Sequence, residues 1–283
     1  MAGWGVGVGV ALAVWLLATP SWAQQRPLET QDPESIGAGQ VLVEGGFDYG
    51  TNIFFPASGL TGNLLRVPTL GVFVGVSSIA EIQLTGGPYQ RLDITAREPA
   101  PLSSAVTATG DTTSAVVDIT IGAKIRLMAE TATRPSVAFR FATSLPNSKL
   151  PSGLGLNTTD FYTGLAFGKT IRSVRYVGNI GLGILPDPVS GQRQNDVLTY
   201  GVSAVRAVSG TVDLVAELNG RANTRSANAP VGTESRSVLR AGARFTQGAA
   251  RLDAALLLGL TPEDPGIGVT VGVTYAFKAF TVQ

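Results

Sequence analysis

The sequence predicts an all-β protein: a closed antiparallel transmembrane β-barrel of about 12 strands, preceded by an N-terminal signal peptide. Three observations predict it. Apolar residues alternate repeatedly with small or polar ones, which is typical of strands with one apolar face. Most of these segments have about ten residues, the length that a tilted strand needs to cross a bilayer. Long and short connections also alternate along the chain, as they do in outer-membrane barrels.

The N-terminus predicts export. An apolar run from Val6 to Leu17 is followed by Pro20, Ser21, Trp22 and Ala23, with small residues where a signal peptidase cleaves. We expect cleavage after Ala23, although no Lys or Arg precedes the run. The alternative is a retained membrane anchor, for which the run is short. The predicted organisation is a signal peptide (1–23), a flexible polar periplasmic lead-in (24–39) and the barrel (40–283).

Composition excludes several classes of function. The chain contains no Cys and no His among its 283 residues, which excludes disulfides, imidazole catalysis and ordinary zinc sites. Its net charge is +1, and no basic run suggests nucleic-acid binding. Asn157 and Asp160 supply too few carboxylates for calcium. We therefore predict that the protein is not an enzyme and has no cofactor and no metal.

Twelve segments carry the alternating pattern. In the last, Ile267, Val269, Val271 and further odd-numbered residues oppose glycines and threonines. The predicted strands are 40–49, 66–76, 79–94, 115–127, 136–145, 160–169, 174–185, 196–207, 212–221, 235–245, 250–260 and 267–277.

The connections predict the orientation. Long ones are expected at 50–65, 95–114, 146–159, 186–195 and 222–234, and short ones at 77–78, 170–173, 208–211 and 246–249. The turn 128–135 is intermediate in length, and a moderate loop is expected at 261–266. An even strand number places both termini on the short-turn, periplasmic side of a Gram-negative outer membrane. The expected partners are outer-membrane lipid, a small solute and the barrel-assembly machinery. The last predicted strand closes with Phe277 after alternating apolar residues, which resembles the C-terminal signal that this machinery recognises. The alternative is a soluble periplasmic β protein, but the second face is unusually rich in Gly, Ala and Ser.

Most charged residues of the strands fall on the face predicted to line the lumen. The candidate lining residues are Arg236, Arg240, Arg244, Asp213, Glu217, Asp118, Lys124, Arg126, Arg140 and Asn179, joined by Glu44, Glu81, Asp93 and Arg175. Paired charges would brace a narrow lumen, because pairing offsets desolvation. The same charges would also select anionic or polar solutes. The two interpretations are compatible, and both remain open.

Phe54 and Phe55 lie in the predicted loop 50–65. An apolar cluster there would fold into the barrel mouth and meet an apolar solute. The alternative is ordinary packing at the rim.

The region from about Gly122 to Arg221 resembles the outer-membrane transporter family named for the MetA pathway of phenol degradation. The residues involved are Gly122-Ala123-Lys124, Pro135, Leu145-Pro146, Gly153, Asp160-Phe161, Asn179-Ile180-Gly181, Tyr200-Gly201 and Glu217-Leu218. The resemblance implies a transporter barrel that passes aromatic or other small hydrophobic compounds, and it implies no site residues.

Two functions follow as hypotheses. The first is a passive channel for small solutes, with aromatic or hydrophobic compounds among them. The second is a structural or interaction barrel that engages partners through loops 95–114 and 222–234. The sequence does not specify an oligomeric state.

Overall fold

The computed structural model describes residues 26–225 and 228–282, and within them the chain forms one closed barrel of twelve antiparallel strands. The predicted signal peptide lies outside the described residues. The strands are β1 (Gln40–Phe55), β2 (Leu60–Gly75), β3 (Ala80–Arg97), β4 (Thr112–Met128), β5 (Ser136–Leu145), β6 (Asp160–Ile171), β7 (Val174–Pro186), β8 (Gln194–Ala207), β9 (Val212–Asn223), β10 (Arg236–Gln247), β11 (Ala250–Gly259) and β12 (Gly268–Lys278).

Each strand pairs with its neighbours in the sequence, and β12 closes the sheet against β1. The closing register runs from Gln40 opposite Lys278 to Gly50 opposite Gly268. Closure satisfies backbone N–H and C=O groups within the sheet, which a bilayer interior requires. The predicted fold class is confirmed.

The outer surface is apolar. Among its exposed residues, Leu256 is 63% and Leu252 58% accessible, and Phe161 and Tyr275 lie at opposite rims. The aliphatic rows therefore face outwards rather than packing against a second sheet, which contradicts the alternative of a soluble β protein with its apolar face buried. In the described part of the chain, no helix has the length and apolar character needed to cross a membrane.

The prediction of a long loop at 50–65 is wrong. β1 continues to Phe55 and β2 begins at Leu60, so only 56–59 connects them. Register shifts at Gly46/Asp48 and Gly50/Ile53 interrupt the period of two that predicts a strand. The tight turn needs Gly59, which has φ 74° and whose added Cβ would lie 1.9 Å from the Glu98 carbonyl oxygen.

The two ends of the barrel differ in their connections. Segments 76–79, 129–135, 172–173, 208–211 and 248–249 lie at the end that carries both termini of the sheet. Segments 98–111, 146–159, 187–193, 224–235 and 260–267, together with the turn 56–59, lie at the other end. Outer-membrane barrels keep short turns in the periplasm and longer loops outside. The terminal end is therefore periplasmic.

The segment before β1 differs from the expected flexible lead-in. Residues 26–36, here called the plug segment, lie inside the barrel, where Leu28 is 6% and Asp32 7% accessible. From β1 they pass through the periplasmic end and reach Asp48, near the middle of that strand. Polar groups that would stay hydrated in a free tail are instead bonded to inward-facing side chains of the strands.

Candidate functional site in the barrel interior

The three acidic residues of the plug segment each pair with an arginine on a different strand. The ion pairs are Glu29 with Arg240 (3.5 Å), Asp32 with Arg175 (2.9 Å), and Glu34 with Arg126. The Arg175 guanidinium donates from two nitrogens to the two Asp32 oxygens, at 3.0 and 2.9 Å. This bidentate geometry is the strong form of an ion pair.

The main chain of the plug segment is also bonded by side chains of the barrel. Glu217 accepts the N–H groups of residues 29 and 30, the second at 2.6 Å. Asn179 accepts the N–H of Gln31 at 2.6 Å and donates to its carbonyl at 2.9 Å. Lys124 donates to the Asp32 carbonyl at 2.7 Å and also pairs with Glu81 at 3.1 Å.

Arg26, the first residue that the structure describes, contacts side chains of β1, β11 and β12. Its guanidinium donates to Thr270 at 2.7 Å and lies 3.5 Å from both Asp48 and Asp253. The guanidinium occupies the space over Gly272, where an added Cβ would lie 2.2 Å from Nε. A glycine in the wall therefore makes room for this side chain.

Two cavities lie on opposite sides of the plug segment. The outer cavity has a volume of about 560 Å³ and the periplasmic one about 1360 Å³, and Leu28 and Thr30 line both. Arg140 lines the outer cavity, and Asp213 lines the periplasmic one. The plug segment therefore divides the lumen.

An apolar cluster lies inside the extracellular end. Leu60, Leu64 and Leu92 are buried, and Phe55 and Leu154 pack against them. Loop 98–111 is held here by the Leu102 N–H, which donates to the Ala57 carbonyl at 2.9 Å, and loop 146–159 by the Ser58 hydroxyl, which donates to the Gly153 carbonyl at 2.8 Å. The two loops therefore fold over the barrel mouth.

A periplasmic turn supports the plug segment indirectly. Glu130, in 129–135, pairs with Lys169 at 3.1 Å and with Arg175, the partner of Asp32. Burial raises the pKa of Glu130, but the Thr170 N–H and the Lys169 ammonium outweigh burial and hold that pKa below its ordinary value. Glu130 is thus charged at neutral pH and helps to fix Arg175.

Solved structures of other proteins share this fold. The chain is similar to the crystal structure of the COG4313 outer membrane channel from Pseudomonas putida F1, with a TM-score of 0.61 and 16% identity over 87% of this chain and 98% of that one. It is also similar to the NanC porin, with a TM-score of 0.51 and 8% identity over 83% of this chain and 98% of that one. The chain is an outer-membrane β-barrel. At these identities the likeness concerns the fold. No family model and no curated protein matches the sequence.

The structure brings six of the ten predicted lumen residues of this barrel to the plug segment. They are Lys124, Arg126, Asn179, Glu217, Arg240 and Arg244, the last of which donates to the Arg26 carbonyl at 2.9 Å. These contacts join inward-facing side chains of the barrel to the chain's own N-terminal segment. Bracing of the lumen and selection of solutes by these residues both stay predictions.

The other predicted residues have different positions. Asp118 accepts the Ser148 N–H at 2.6 Å, and Arg236 donates to the Glu263 carbonyl at 2.9 Å, so both hold extracellular loops. Asp93 is exposed and pairs with Arg91 rather than facing the lumen. Within residues 26–225 and 228–282, no three acidic side chains converge as metal ligands.

Phe54 and Phe55 belong to β1 and not to a loop. Phe55 packs against the apolar cluster at the mouth. Phe54, the residue before it, points to the opposite face of the strand.

Sequence reasoning missed the plug segment itself. A usable signal was its three acidic residues, Glu29, Asp32 and Glu34, in a stretch directly before a barrel with many inward arginines. Opposite charges in a narrow lumen attract strongly because the local dielectric constant is low.

Proposed function

We propose that this barrel is a passive channel for small solutes whose flux is limited by the plug segment. The observation that carries the proposal is the division of one lumen into two cavities by residues 26–36, with Leu28 and Thr30 lining both. A solute crossing the membrane along the barrel axis has to pass this segment. No catalytic step and no cofactor enters the proposal.

The solutes proposed are small and include aromatic or hydrophobic compounds. Apolar side chains inside the barrel support this class: Phe73 lines the outer cavity, Leu42 the periplasmic cavity, and Leu28 both. The apolar cluster at the mouth offers a first contact for such a solute. The resemblance to the MetA-pathway transporter family supports the same class.

The test is conductance and solute flux with the refolded barrel. The intact chain is compared in planar bilayers with a variant in which residues 26–36 are replaced by a Gly/Ser sequence of equal length, which keeps the length but removes the bonds. We expect the replacement to increase the conductance. Equal conductance of the two proteins would contradict the proposal.

Solute selectivity is tested in proteoliposomes. A small neutral aromatic compound is compared with a sugar of similar mass, and the intact barrel is expected to pass the aromatic compound faster. The test variant is Leu28→Ser, which makes a side chain that lines both cavities polar. This variant should lose the preference without losing ion conductance.

A further inference from the structure

The plug segment is bonded largely through atoms that every polypeptide carries. Glu217 accepts main-chain N–H groups at residues 29 and 30, and Glu81 accepts the N–H of Ile36 at 2.9 Å. Lys124 donates to one main-chain carbonyl and Arg244 to another. These side chains come from β9, β3, β4 and β10, so the contacts surround the segment.

Asn179 on β7 shows the same kind of recognition at a single residue. Its amide accepts from the N–H of Gln31 and donates to the carbonyl of Gln31. A neighbouring β-strand bonds both groups of one residue in the same manner. Acceptor groups of the barrel wall therefore bond N–H groups of the plug segment, and donor groups of the wall bond its carbonyls. The Asn179 amide does both.

These wall groups are buried. Glu217 is 2% accessible, and Glu81 and Lys124 are each 1% accessible. Buried charged groups need hydrogen-bond partners, and a carboxylate can accept more bonds than one ion pair supplies. Arg240 gives Glu217 one such bond at 2.7 Å, and the two main-chain N–H groups supply others.

Side chains add selectivity to this main-chain recognition. The acidic residues at 29, 32 and 34 each meet an arginine, whereas Arg26 meets Asp48 and Asp253. The ligand that this pattern fits is an extended acidic peptide with a basic residue three positions before its first acidic one.

We infer that the interior of the barrel is a binding site for an extended acidic polypeptide, for which the plug segment is the tethered ligand. The same sequence supplied as a separate peptide then occupies the site when the tethered copy is absent. The inference concerns binding and is independent of whether the barrel conducts solutes.

The experiment uses the variant with residues 26–36 replaced, checked for folding by its heat-dependent gel mobility, and a fluorescent peptide of residues 26–39. Because a short tether gives an effective concentration on the order of 1 mM, titration extends to about that concentration. We expect saturable binding by fluorescence anisotropy, with competition by unlabelled peptide. A folded variant that shows no saturable binding would overturn the inference.

Main-chain recognition is tested with an ester in place of one amide. The ester at Thr30 removes the N–H that Glu217 accepts, and we expect binding to weaken at least about tenfold, as for loss of a bond to a charged group. The control ester is at Glu34, whose N–H donates at 2.9 Å to Asp32 within the segment itself. Equal affinities of the Thr30 ester and the normal peptide would contradict recognition through the main chain.

A second form of the experiment covers failure of the replacement variant to fold. A protease site is inserted at Ala38 in the full chain, between the plug segment and β1, and is cut after folding. We expect the cut segment to stay bound in native mass spectrometry and to exchange with labelled peptide. Immediate loss without rebinding would overturn the inference, whereas peptide binding without any effect on conductance would contradict only the proposed function.

Discussion

Replacing Asp32 by Asn is the most direct test of how the plug segment is held. The Asp32 carboxylate accepts two hydrogen bonds from Arg175, and the Arg175 side chain is 4% accessible. The amide of Asn is nearly isosteric but carries no charge and offers only one accepting oxygen. The change therefore removes the ion pair while preserving the shape of the segment.

The expected loss can be bounded from the contacts. Removing one member of a buried ion pair costs about 3–5 kcal/mol when the remaining charge has no partner. Here Arg175 retains Glu130, and Lys124 still bonds the main-chain carbonyl of residue 32. We therefore expect a smaller loss of about 2 kcal/mol in plug docking, which raises the undocked population roughly 30-fold at 1.4 kcal/mol per tenfold.

Amide hydrogen exchange measures this population directly. The N–H groups of Thr30, Gln31 and Ile36 are bonded to the wall and exchange when the segment undocks. In Asp32→Asn they should exchange roughly 30-fold faster, with amides of the barrel strands unchanged.

The matched control is Asp93→Asn. Asp93 pairs with Arg91 at 2.9 Å, but both side chains are about half exposed, and such a pair contributes below about 1 kcal/mol. The plug amides should exchange at the wild-type rate in this variant. Wild-type exchange in Asp32→Asn, or an equal acceleration throughout the barrel, would refute the reasoning.

Three further predictions follow from other contacts. Leu92→Ala empties a fully buried position in the mouth cluster and should destabilise the folded barrel by about 2–5 kcal/mol in urea unfolding; an unchanged midpoint would argue against the cluster. Burial raises the pKa of Asp187, but hydrogen bonds in its extracellular loop outweigh burial and lower it to about 2. Because the pKa of Asp187 is depressed in the folded state, the Asp187 carboxylate stabilises the loop fully above the ordinary carboxyl pKa range, and this stabilisation is lost as pH falls towards 2. Amide NMR shifts of the loop that change at pH 4–5 instead would contradict this prediction. Gly46→Ala places a Cβ 2.3 Å from the Arg26 guanidinium and should speed exchange of the plug amides, whereas Gly45→Ala, with nothing within 4 Å, should leave them unchanged.

Most of the barrel was predictable because its signals are local. Period-two alternation and strand length are read within about ten residues, and from β3 onwards every strand begins and ends within three residues of the predicted bounds. β1 and β2 were predicted too short because the bulge near Gly50 shifts the alternation, so that glycine and asparagine there resemble a loop. The inward direction of most charges was predictable for the same local reason.

The sequence by itself determined the closed barrel, its outward apolar face and the type of residue inside it. Only the tertiary structure decided what the interior charges bind. The plug segment has no periodic pattern, and its composition matches a free polar tail. Its partners are far away in the chain: Asp32 meets Arg175, 143 residues later. Such pairing depends on closing the sheet, since closure alone places inward arginines from many strands around one narrow, low-dielectric space.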